Sequence, residues 1–394
     1  MSPDFRATAI PLSAALFASL LGLGMMVPAM PLLAQQTGSG AMAAGLMVSS
    51  FGVARLLIAA PSGWLVDKRG AMLTGALGLV ITAVASLLGW FSSSFAMVVT
   101  AIALQGAGSS AFSTAAMTAL VLAAGPQHRG RAMTWFQTAI LLSFSIGPIA
   151  GGWVVGQYGP HAPFIIQALL AVLALASLRS IPKMPIAQAP QGSAMATGNF
   201  WTMALAVGAL GGFAAFFARV GIAWNVVPVV ALHDFGLTPA TLGWIIGAGT
   251  ALNLLAMPYL GRLIDGYGAR PVFLLSTLLN IAAMMAAYLV PTVAMLWIST
   301  ALVMLASGIM IPAAMTIAIE GAAPQVMGRV MGLARTASDA GMAIGPSAVP
   351  AVGAALGVSP MFGMVTCSVV SLIALLFALG KRREQTPLEI ASRS

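Results

Sequence analysis

The sequence predicts an all-α integral membrane protein. Twelve transmembrane helices form two pseudo-symmetric six-helix bundles, with the N and C termini cytoplasmic. Three observations carry this. First, the 394-residue chain is 60% hydrophobic and 6% charged, with a mean hydropathy of +0.99. A soluble domain carries about 25% charged residues, so these charges cannot cover an aqueous surface. Second, apolar runs of the roughly 20 residues that cross a bilayer as a helix recur twelve times. They fall near 8–34, 41–65, 72–91, 95–122, 131–157, 162–180, 200–232, 239–263, 271–290, 293–318, 329–356 and 360–380. Third, Gly63-Trp64-Leu65-Val66-Asp67-Lys68-Arg69-Gly70-Ala71 returns 198 residues later as Gly261-Arg262-Leu263-Ile264-Asp265-Gly266-Tyr267-Gly268-Ala269.

Charge placement gives the orientation. The formal charge of +9 would suggest nucleic acid in a soluble protein. Here Arg55, Arg219 and Arg335 lie inside spans, and the other fourteen of the 17 Lys and Arg fall in alternate connections or at the termini. That is the positive-inside pattern: it puts both termini in the cytoplasm and makes the basic excess a topology signal. No nucleic-acid partner is expected. The first span is too long for a signal-peptide core and is expected to remain in the mature chain. A lone Cys367 excludes an internal disulfide. His128, His161 and His233 have no ligand spacing, so no metal is expected.

Residues 115–150 align without a gap on 313–348, with sixteen of 36 positions identical, among them Pro126/Pro324, Arg131/Arg329, Gly147/Gly345 and Pro148/Pro346. Each half holds six spans, so the repeat is parallel, about an axis along the membrane normal. The expected domains are residues 1–180 and 199–394, joined by a flexible Pro/Gln/Ala-rich cytoplasmic linker at 181–198.

The Gly63–Ala71 loop joins spans two and three. Gly63 permits close helix approach, and Gly70 permits a turn with positive φ. Asp67 can sit at a helix N-terminus, where a carboxylate gains about 0.3–1 kcal/mol. That suits a latch that must also open. The segment resembles the G-x-x-x-D-[RK]-x-G-[RK]-[RK] motif of the major facilitator superfamily through Gly63, Asp67, Lys68 and Gly70, with Ala71 and Met72 where basic residues are usual. The second copy keeps Gly261, Asp265, Gly268 and Arg270.

Span five carries Gly147-Pro148-Ile149-Ala150-Gly151-Gly152. Proline bends a helix, and glycine lets a neighbour approach. The run resembles the G-P-x-x-G-G motif of the superfamily's twelve-helix drug:proton antiporters, with Ser143 at a position where the longer motif has glycine. Gln105-Gly106 resembles the end of their R-x-x-Q-G motif, with Ile102 at the arginine position that the family links to proton coupling. The resemblance spans the chain. It implies the major facilitator fold, alternating access, and gating roles for Gly63, Asp67, Lys68, Gly70, Arg131, Gly147, Pro148, Asp265, Arg329, Gly345 and Pro346.

Charges inside spans cost about 2.5–3.5 kcal/mol each and need a reason. Asp339 is the one carboxylate near mid-membrane, and Arg335 lies one turn earlier on the same face. Two readings stay open: a self-neutralised structural pair, or a proton site that frees Arg335 for substrate. Arg55 and Arg219 have no acid on their own spans. They either bind helix carbonyls or line a cavity for an anionic or zwitterionic solute. Gln105, Ser109, Ser110, Ser113, Gln137, Asn225 and Asn253 are further polar candidates. Phe112, Phe213, Phe216, Phe217 and Trp224 could form an aromatic wall, although most aromatics in spans simply pack.

No nucleotide-binding loop is present. A membrane enzyme would need clustered acids, histidines or a nucleophile, and only Asp339 qualifies. A transporter-like sensor would carry a signalling domain. The expectation is secondary active, proton-driven efflux of a small amphipathic organic molecule by a monomer in the plasma membrane, without cofactor. The alternative is proton symport or facilitated uptake of a small organic anion.

Overall fold

The computed structural model describes residues 3–37, 41–124, 129–181, 202–320 and 327–380. The expected linker falls outside them apart from Ile181. Every regular element among the described residues is helical. The first half of the sequence forms α1 (Pro3–Met25), α2 (Met30–Gln36), α3 (Ala41–Arg69), α4 (Ala71–Trp90), α5 (Phe95–Ala124), α6 (Arg129–Tyr158) and α7 (Ala162–Ser177). The second half forms α8 (Met203–Gly221), α9 (Val227–Val229), α10 (Pro239–Tyr267), α11 (Ala269–Leu289), α12 (Val293–Ala318), α13 (Met327–Leu356) and α14 (Gly363–Gly380).

Among the described residues, ten helical stretches are long and apolar enough to cross a membrane. Outside that set are α7, at 16 residues, and the 30-residue α13, which carries Arg335 and Asp339. Proline marks the break between α1 and α2, where Pro28 sits in a single 3-10 turn and Pro31 opens α2. The helix beginning with α8 continues through π-helical segments at Ile222–Val226 and Val230–Asp234 on either side of α9. A π segment widens the turn and re-aims the side chains it carries, and it recurs at functional sites.

The repeat persists in the backbone. Gly70 turns α3 into α4 with φ 88° and ψ 157°, and Gly268 turns α10 into α11 with φ 83° and ψ 155°. That conformation is essentially restricted to glycine, which explains both positions. Thr202, Thr238 and Thr292 start α8, α10 and α12 by accepting the N–H of Leu205, Thr241 and Met295.

Glycines set the helix packing. Within the first half, a Cβ on Gly147 would lie 2.9 Å from Gly24 Cα and 2.8 Å from the Leu21 carbonyl oxygen, so α6 crosses α1 backbone to backbone. Gly345 does the same for α13 on α8, against the Phe217 carbonyl oxygen at 2.7 Å. Between the halves, α3 packs on α13 and α6 packs on α10. Gly45 lies against the Pro346 carbonyl and Gly243 against the Pro148 carbonyl. These two contacts are the same contact displaced by 198 residues. Gly52 on Ala343 and Gly247 on Ser145 extend the two seams.

These four contacts, and Gly152 against the Pro239 carbonyl, lie toward the end remote from the Gly70 and Gly268 turns. At the turn end, Gly63, Gly266 and Gly332 meet nothing within 4 Å among the described residues. Among the described residues, the halves are therefore in backbone contact at one end, the sealed end, and not at the other, the parted end, where Arg335 of α13 still reaches Met117 of α5. The close approach expected at Gly63 is not made in this conformation, because the helices diverge before reaching it.

Candidate substrate and coupling site

The seam between α3 and α13 positions the central charges. Arg55 comes one turn after Gly52, and Asp339 comes one turn before Ala343, the residue that Gly52 packs against. The crossing thus delivers both side chains to one level. Arg55 Nε lies 3.9 Å from Asp339 Oδ1, and the two side chains are 17% and 13% exposed. Arg55 Nη1 also donates to Ser109 Oγ on α5 at 3.4 Å, and Ser110 Oγ donates to the Arg55 carbonyl at 3.0 Å.

Arg335 is not the partner of Asp339. Its Nη1 contacts Met117 Sδ on α5 at 3.7 Å, and the side chain is exposed. The reason is directional. Helical side chains lean toward the helix N-terminus, so Arg335 leans away from Asp339, and a cation preceding an anion by four residues is the poorer order. The positive charge of Arg335 still acts on Arg55 by repulsion, against the attraction from Asp339.

An aromatic group lies on the sealed side of these charges. Trp224, half-buried in the π segment Ile222–Val226, meets Phe144 of α6 at 5.4 Å between ring centroids and Phe51 of α3 at 6.5 Å. Phe51 is one turn from Arg55. The next residue, Asn225, is buried beside Gly45, and its Nδ2 has no hydrogen-bond partner among the described residues. Arg219, on α8 three residues after Phe216, is half-buried, with no ion pair among the described residues.

Other candidates go elsewhere. Gln105 is buried, with Nε2 on Ser86 Oγ of α4 at 2.9 Å. Asn253, the repeat counterpart of Arg55, donates to the Met304 carbonyl of α12 at 3.1 Å and packs on Gly308. Both are contacts within one half of the sequence, away from the Arg55–Asp339 pair. Phe112 is buried against Gly75 and Gly78, and Phe213 stacks on Phe217 along α13, so these three rings pack helices. Ser113 bonds the Ser110 carbonyl of its own helix. Gln137 is half-buried on α6.

Gly147, Pro148, Gly345 and Pro346 sit at the helix crossings described above. Lys68 lies over the Trp64 ring at 4.7 Å. The side chains of Asp67, Asp265, Arg131 and Arg329 lie outside the described residues, as does His128. At the turn end of the second half, Arg270 Nε pairs with Glu320 at 3.7 Å, joining α11 to the turn that follows α12. Among the described residues, no three His, Cys, Asp or Glu form a group that could hold a metal.

Sequence reasoning missed Phe51, Phe144, Gly45 and Gly243. The glycines had a signal: they are themselves a repeat pair at the 198-residue offset. The two phenylalanines had none.

The Major Facilitator Superfamily profile matches the chain twice, over residues 12–222 and 208–394. An uncharacterised MFS-type transporter of Methanocaldococcus jannaschii is 33% identical over 159 residues, 40% of this chain and 41% of that one. Multidrug resistance protein 2 of Bacillus subtilis is 29% identical over 160 residues, 40% of each chain. The chain thus aligns with about two fifths of the length of these relatives. In three dimensions it resembles the nucleoside transporter NupG with a TM-score of 0.78 and 17% identity, covering 94% of this chain and 99% of that one. These relatives are transporters and not enzymes. The duplicated helical architecture and the two profile matches lead to one assignment: the chain belongs to the Major Facilitator Superfamily, as a multi-pass membrane protein resembling its drug:proton antiporter branch.

Proposed function

We propose that the protein is a monomeric secondary active transporter of the plasma membrane, built from twelve spans in two six-helix domains with cytoplasmic termini. It moves a small amphipathic organic molecule by alternating access and uses the proton as coupling ion. The observation that carries this reading is the Arg55–Asp339 pair, which ties α3 to α13 just inside the sealed end. Protonating Asp339 removes the attraction across the seam that has to part when the other end closes. Proton binding and the rocking of the halves are therefore linked through one carboxylate. No other carboxylate lies mid-span among the described residues.

Export is the direction favoured by the likeness to multidrug resistance protein 2 and by the Gly147–Gly152 motif. The test is flux in proteoliposomes under an imposed pH gradient, with wild type and Asp339→Asn reconstituted at equal density. Loss of gradient-driven flux in the variant is expected. Undiminished flux refutes the coupling role.

A second reading, proton symport of an organic anion, is favoured by the excess of guanidinium over carboxylate at the pair. A substrate cation would compete with the proton for Asp339, giving antiport. A substrate anion would bind together with the proton, giving symport. Accumulation in inverted vesicles separates the two directions.

A further inference from the structure

We infer that the cluster below Trp224 is a binding site for an aromatic monocarboxylate, whose carboxylate replaces Asp339 on Arg55 as Asp339 takes up a proton. The inference deepens the symport reading above and rests on it. Its argument is a shortage of acceptors. A guanidinium presents five N–H donors. Among the described residues, the ten donors of Arg55 and Arg335 meet one hydroxyl at 3.4 Å and one thioether at 3.7 Å. Asp339 faces Arg55 at 3.9 Å, an ion pair too long for a hydrogen bond. Thioether sulfur is a weak acceptor, and a guanidinium is built for the bidentate oxygens of a carboxylate. A substrate oxyanion is the group that completes this array.

The aromatic part follows from position. Trp224 lies in the π segment and leans on Phe51 and Phe144 with tilted rings at 6.5 and 5.4 Å, and the residue is half-buried. Phe51 lies one helical turn, about 5 Å, from Arg55. A flat ring on Trp224 therefore puts a carboxylate borne on it within reach of Arg55.

The exchange balances in atoms and charge. Free, the site holds Arg55 and Arg335 cationic and Asp339 anionic. Bound, the substrate carboxylate sits on Arg55, and the displaced Asp339 carboxylate accepts one proton from water at the parted end, so the site's net charge is unchanged. The titratable and charged groups around Asp339 are few. Arg55 comes from α3, Arg335 from its own helix, and Arg219 is carried by α8. Neither α5 nor α12 carries a titratable side chain, and α14 carries only buried Cys367.

The test is calorimetric titration of the purified full chain in two buffers of different ionisation heat, which counts protons per ligand. The probes are 1-naphthoate, its neutral amide and 1-naphthylmethylammonium. Naphthoate should bind at least about tenfold more tightly than either analogue, the scale of a charge-assisted hydrogen bond. About one proton should be taken up per naphthoate. Arg55→Gln should weaken naphthoate binding about tenfold or more, and Asp339→Asn should retain binding with no proton uptake. Tighter binding of the ammonium, or no binding of any probe, overturns the ligand class. Naphthoate binding without proton uptake by wild type overturns the exchange, and that count stands even if the Asn variant fails to fold. Because this readout is binding and the reading above is tested by flux, their failures are separable.

Discussion

Replacing Gly243 by alanine should weaken the sealed end and shift the protein toward the conformation parted there. A Cβ on Gly243 would overlap the Pro148 carbonyl oxygen and stand 2.9 Å from its carbonyl carbon, where ordinary contact begins near 3.4 Å. The α6–α10 seam must then open by half an ångström or more. Both contacts are backbone, so no flexible side chain can move aside. Overpacking of this kind costs about 1–3 kcal/mol. The cost falls only on the sealed conformation, so the equilibrium should move by about 5- to 150-fold. Ser145, buried on α6 with its carbonyl facing Gly247, reports the change. With the lone Cys367 replaced by alanine, a Ser145→Cys probe should react slowly with a polar maleimide, and faster by that factor once Gly243→Ala is added. Unchanged or slower labelling, in protein that still melts cooperatively, would refute the claim that this contact is the seal. Gly45→Ala, its repeat counterpart on Pro346, should act in the same direction.

Other substitutions separate roles. Gly63→Val and Gly332→Val, placed where nothing lies within 4 Å, should leave the melting temperature within the shift of about 0.5 kcal/mol but abolish flux, because the helices there must meet when the turn end closes. Gly70→Ala and Gly268→Ala force alanine into φ 88° and 83°, so each should lose about 1–3 kcal/mol of stability, read as a lower melting temperature in detergent. Gln105→Leu should reduce the amount of folded protein without changing the substrate KM, since its amide serves Ser86. Arg219→Gln should raise KM at unchanged membrane level, and a fall in membrane level instead would identify it as structural.

The fold was legible because its determinants are local. Runs such as Ala71–Trp90 and Val293–Ala318 state their membrane-crossing character in composition alone, and the glycine turns at 70 and 268 are written into a repeated motif. The site was only partly legible. Asp339 and the three arginines stand out because charge in an apolar span is costly. Their pairing did not stand out: Arg55 and Asp339 are 284 residues apart, and only the α3–α13 crossing aligns them. Arg335 offered a nearer partner by spacing, but in the weaker order for an i,i+4 pair, and the α3–α13 crossing supplies Arg55 instead. The π segment that aims Trp224 has no local signature, and a glutamine such as Gln105 reads identically whether it faces a cavity or a helix.

Gly45 on Pro346 and Gly243 on Pro148 make one contact used twice, each half supplying a glycine to the other's proline. Such reciprocal contact is isologous: it is what two copies of a half-length chain would make about a two-fold axis. A six-helix ancestor could therefore have closed this end as a homodimer before fusion. At these four positions a change in one half disturbs the other, whereas Arg55, Asp339 and Arg335 have unlike residues, Asn253, Leu141 and Gln137, at their repeat counterparts.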